Sequence, residues 1–94
     1  MSSWASNYIK ELQEGKTVQF RPFGHSMKGK IKSGQLVTVK PFDSYLVGDI
    51  VLCGVRGRDF LHLIKGKKDN SYLIGNNIGG INGWTTKIYG KVIC

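Results

Sequence analysis

The sequence predicts a mainly β, antiparallel domain with one short N-terminal helix. Three observations predict it: an early segment with helical periodicity, a change to period-two alternation after Gly15, and 13 glycines that divide the remaining chain into strand-length pieces. With 94 residues the chain suffices for one ordinary hydrophobic core and is too short for a two-domain enzyme. Hydrophobic residues make up 40% and charged residues 21%, so there is apolar material for a core without the charge excess that keeps chains disordered. We read residues 1–94 as a single domain, with 1–15 as the helical segment and 16–94 as the β-domain.

In the first segment Trp4, Tyr8, Ile9 and Leu12 fall on one helical face, Ser2 or Ser3 offers the N-cap, and Gly15 the stop. Val18 and Phe20 then alternate with Thr17, Gln19 and Arg21 until Pro22, which has no N–H for a ladder, ends the strand. Further strands are expected over 35–40, 49–55, 59–65, 71–75 and 87–93. Arg56-Gly57-Arg58 reads as a hairpin tip and Lys67-Lys68-Asp69-Asn70 as a second turn. Trp84, after Asn82-Gly83, reads as a loop residue covering the core.

Lys and Arg number 14 against 6 Asp and Glu, a formal net charge of +8 that admits nucleic acid, anionic lipid or acidic polypeptide and selects none of them. The runs Lys28-Gly29-Lys30-Ile31-Lys32 and Lys65-Gly66-Lys67-Lys68 lack the aromatic interleaving of a single-strand stacking platform and read as solvated faces. Cys53 and Cys94 form neither a CxxC pair nor a Cys/His quartet, so no metal and no cofactor is expected, and a reduced cytoplasmic chain is. Cys53 reads as a small buried apolar residue. No apolar run approaches the roughly 18–20 residues of a membrane span.

Acyl-transfer chemistry needs a nucleophile on a turn that aims its side chain outward. Phe23-Gly24-His25-Ser26-Met27-Lys28-Gly29 offers Ser26 directly after a strand, with Gly24 permitting a sharp bend and backbone N–H groups nearby for an oxyanion. Such turns are common, and the residues alone leave Ser26 between a nucleophile and an ordinary turn serine. A serine also needs a base. His25 is adjacent and, in an extended stretch, points away from Ser26. His62, within Phe60-Leu61-His62-Leu63-Ile64, has apolar neighbours to desolvate it and a strand to fix its direction, although on the residues alone a half-buried structural histidine is the preferred reading. Lys65 is the rival base. Three positions on, it falls on the other strand face, and a lysine must lose about 3 pKa units to be neutral near pH 7, whereas histidine needs almost none.

Five blocks in order carry a family resemblance: Gly24-His25-Ser26-Met27; Ile31 through Val39; Val47-Gly48-Asp49-Ile50-Val51; Phe60-Leu61-His62; and Tyr72-Leu73-Ile74-Gly75-Asn76-Asn77. Together with Ile88-Tyr89-Gly90-Lys91-Val92 as a closing strand, they make the chain resemble the LexA and signal-peptidase superfamily of serine peptidases. The resemblance implies that Ser26 is the nucleophile, that Gly24 and Met27 shape the turn and its oxyanion hole, and that the base lies on the strand after the Gly-Asp hairpin. That base is lysine in LexA-like and bacterial signal peptidases and histidine in the microsomal type; the register, counted back from Gly75-Asn76-Asn77, lands on His62. Asn76 stands where the microsomal type has an aspartate to orient the histidine, and an amide orients a ring without neutralising its charge. The implied substrate is an extended polypeptide lying as an added strand near Pro22 to Ser26. The alternative is a catalytically silent β-domain that binds polypeptide or nucleic acid.

Overall fold

The computed structural model describes residues 4–22, 34–76 and 79–93. It is mainly antiparallel β with one short helix, as the sequence predicts. The elements are α1 (Ser6–Gln13), β1 (Val18–Phe20), β2 (Val37–Lys40), β3 (Ile50–Val55), β4 (Arg58–Lys68), β5 (Ser71–Gly75), β6 (Ile81–Thr85) and β7 (Lys87–Val92). All pair antiparallel in one seven-stranded sheet of order β1-β2-β7-β3-β4-β5-β6.

The helix starts later than its periodicity suggests. Ser2 and Ser3 lie outside the described residues, and the N-cap is Ala5, which makes no side-chain capping bond. Ala5 is instead fully buried, and its carbonyl accepts the Ile9 N–H at 2.9 Å. Packing replaces the cap. Gly15 stops the helix as expected: at φ +85° it lets its own N–H reach the Leu12 carbonyl and the Lys16 N–H reach that of Glu11, both at 3.0 Å. The helix lies against β1, where Tyr8 stacks on Phe20 with ring centroids 4.6 Å apart.

Alternation along β3 and β4 sends side chains into two separate cores. Leu52 and Leu61 join Ala5, Leu12, Val18, Phe20, Val37 and Val39 beneath the helix. Val51, Cys53, Val55 and Ile64 join Tyr45 and Ile74 on the other face. The sheet curls round this second core until β6 lies beside β3, where the Thr85 hydroxyl donates to the Gly54 carbonyl at 2.5 Å.

The Gly-Asp block has a structural use. The Asp49 carboxylate accepts the Leu46 N–H at 2.9 Å, while Gly48 N–H to Ile64 O and Ile64 N–H to Asp49 O, each 2.9 Å, dock this turn against β4. At the hairpin tip, Arg56 and Gly57 both have positive φ, 52° and 80°, which suits the twist of the flanking strands.

Three corrections concern the later chain. Lys67 and Lys68 belong to β4, so the turn shrinks to Asp69-Asn70, with Asp69 at φ 53°. Trp84 lies on a strand, half exposed, instead of covering the core from a loop. Three pairings also shift register by one residue, setting aside Tyr89 on β7, Lys65 on β4 and Asn82 on β6.

Pro22 and Gly34 hold each other at the ends of residues 23–33. The Gly34 N–H donates to the Pro22 carbonyl at 2.8 Å, and Arg21 Nη1 donates to the Gly34 carbonyl at 3.0 Å.

Candidate functional site

Phe60, His62 and Ile64 share one face of β4 because side chains repeat with period two. That face looks into the second core. His62 sits opposite Val51 of β3, with only 8% of its surface exposed. The Phe60 ring lies nearly parallel to the imidazole, centroids 4.9 Å apart and planes inclined by 19°, which fixes the plane of the His62 ring.

The edge of the ring is held by a residue that sequence reasoning missed. His62 Nδ1 is 2.8 Å from Oδ1 of Asn82. An amide oxygen only accepts, so Nδ1 carries the hydrogen and the lone pair resides on Nε2, the tautomer a general base needs. Burial pushes the His62 pKa below its ordinary 6.5, and the Asn82 hydrogen bond offsets part of that. His62 is therefore neutral at physiological pH.

Asn82 reaches His62 because it is the extra residue of its strand: Ile74 pairs with Gly83 and Gly75 with Ile81, leaving Asn82 between. The strand bends there and the amide turns inward. Asn-Gly is also a strong turn signal, and this made the segment read as a loop. No local pattern marks Asn82; only the pairing of β5 with β6 brings it within reach of a residue 20 positions earlier.

Asn76, the orienter expected from the resemblance, has a different bond. Its Oδ1 accepts the Gly80 N–H at 2.8 Å and its own N–H donates to the Gly80 carbonyl at 2.9 Å, closing the β5–β6 connection. The acceptor at Nδ1 is Asn82. Lys65, the rival base, is directed away from His62. A β-carbon placed on Gly75 would come within 2.9 Å of Lys65 Cδ and 3.2 Å of Ile81 Cδ1, which puts the lysine stem on the sheet face opposite to His62. Ser26, Gly24, Met27 and His25 lie outside the described residues, as do Lys28, Lys30 and Lys32.

Cys53 is no nucleophile. It is fully buried and free, and burial together with the nearby Asp59 carboxylate pushes its thiol up to about 12. Among the described residues, no group of three or more His, Cys, Asp or Glu is placed to hold a metal ion, and no helix is long and apolar enough to cross a membrane. Comparison with protein-family models, curated proteins and solved structures returned no match.

Proposed function

We propose that the chain is a serine peptidase that cuts an extended polypeptide by acyl transfer, with Ser26 as nucleophile and His62 as base. The observation that carries the reading is the state of His62: shielded, neutral, and held at Nδ1 by an acceptor so that Nε2 is the basic nitrogen.

In this mechanism His62 Nε2 takes the Ser26 proton as Oγ attacks the scissile carbonyl. The Ser26 N–H and a neighbouring main-chain donor, shaped by Gly24 and Met27, hold the oxyanion. Collapse breaks the C–N bond, and the proton on Nε2 passes to the leaving amine. Water, deprotonated by the same nitrogen, then hydrolyses the acyl-serine. Asn82 orients the imidazole but carries no charge to stabilise imidazolium, so turnover is slow relative to an aspartate-supported dyad. A cytoplasmic setting belongs to this reading, supported by the free thiol of Cys53.

The test is covalent labelling by a fluorophosphonate probe. Wild type is expected to label at Ser26, Ser26→Ala and His62→Ala to lose the label, and Lys65→Ala to keep it. Labelling should rise with pH through a midpoint below 6.5, the ordinary histidine value, because burial lowers the His62 pKa. Equal labelling of wild type and His62→Ala overturns the assignment of the base. The second reading, a catalytically silent domain, is favoured by the uncharged Asn82; a wild type that never labels decides for it.

A further inference from the structure

The bulge that turns Asn82 inward has an outward counterpart. Ile81 and Trp84, three apart, both project from the outer face of β4-β5-β6 and are 57% and 51% exposed. Trp84 stands opposite Leu73 and reaches across Gly66, whose missing side chain leaves room: a β-carbon there would lie 3.8 Å from Trp84 Cη2. Lys65 precedes Gly66 on the same strand and Lys68 follows it by two positions. Lys68 lines the same cleft as Trp84, and the Lys65 stem lies near Gly75 and Ile81 on that face, an assembly of ring and charge that the linear sequence does not show because Trp84 comes from another strand.

Beside the indole is an open cleft of about 380 Å³ lined by Lys68, Asp69, Ser71 and Trp84. It offers a flat aromatic wall, a cation, a hydroxyl and a carboxylate. We infer that this face binds single-stranded nucleic acid, one base stacking on Trp84 with its edge in the cleft and the adjoining phosphates on Lys68 and Lys65. Every base has a face to stack, worth about 1–3 kcal/mol on an aromatic side chain. Ser71 and Asp69 can accept from base amino groups, while the chain's +8 charge draws a polyanion to the surface. A lipid surface fits less well, because Asp69 and Ser71 at the cleft would lose water with nothing to bond in acyl chains. The inference does not depend on Ser26 or His62 being catalytic.

The experiment is fluorescence anisotropy of a labelled oligodeoxycytidylate titrated with the full-length chain over a salt series. Wild type is expected to bind, with affinity falling as salt rises. Trp84→Leu, which keeps bulk and apolarity, should weaken binding by about 5- to 100-fold, the range that loss of one stacked base implies. Trp84→Phe should retain most of it, and Lys68→Ala should reduce the salt slope by about 0.7. Unchanged thermal midpoints confirm that the variants are folded. Absence of oligonucleotide binding at low salt overturns the inference, as does binding indifferent to Trp84→Leu or equal binding of a duplex of the same length. Trp84-dependent sedimentation with phosphatidylserine vesicles, in the absence of Trp84-dependent oligonucleotide binding, overturns it in favour of a membrane.

Discussion

The two cores on either side of β3 differ in kind. Among the described residues, those buried beneath the helix are Ala, Leu, Val and Phe alone. On the opposite face the core takes in Tyr45, Cys53 and, through β4, His62, and burial displaces the pKa of all three from its ordinary value. Among the described groups with displaced pKa, only Tyr89 packs against the helix-side core. Among the described residues, most of the groups whose pKa burial displaces therefore lie on one face of the sheet. The two clusters share no buried residue, so a substitution that empties one leaves the side chains of the other in place.

Substitutions sharpen that contrast. The largest effect is expected from His62→Gln, which should abolish fluorophosphonate labelling while leaving the chain folded, as read by its circular dichroism. The same variant tests the pH dependence of stability. Because the folded-state pKa of His62 lies below its unfolded value of 6.5, the unfolded chain takes up the proton first as pH falls. Stability is fully present above 6.5 and declines as pH falls through the folded-state value. Urea titrations should show that decline in wild type and a flatter profile in His62→Gln.

On the helix side, Leu52→Ala should cost about 2–5 kcal/mol, independent of pH between 5 and 8 in the same titrations, because it empties apolar space alone. A pH-dependent loss there would break the comparison. Gly75→Ala should cost roughly 1–3 kcal/mol or more, since its β-carbon would overlap the Gly80 carbonyl and displace the connection into β6. Asn82→Asp is predicted to raise the His62 pKa, moving the labelling profile to higher pH; the imidazole proton resonance followed by NMR reads it directly. The smallest effect belongs to Gly15→Ala, about 1 kcal/mol for an L-residue held at φ +85°.

The sequence announces those parts whose cause is local. Helix α1, the stop at Gly15, the Arg56-Gly57 turn and the strands β1 to β5 and β7 follow from periodicity and turn residues, and so does the burial of His62. What it hides depends on register. Strand β6 breaks its own alternation with an extra residue and contains an Asn-Gly pair, so two local signals argue against it. Asn82 as the partner of His62 and Trp84 as the neighbour of Lys68 both arise from that misread segment. The acceptor at His62 Nδ1 is Asn82, and the Asn76 side chain bonds the Gly80 N–H across the β5–β6 connection.

The clasp between Pro22 and Gly34 has a consequence for how this architecture can change. Two main-chain groups meeting there bring β1 and β2 into register whatever lies between them. The intervening stretch can then lengthen, shorten or exchange its residues at a modest entropic cost, roughly logarithmic in its length, without rethreading the sheet. A scaffold built this way fixes both ends of the stretch that carries Ser26.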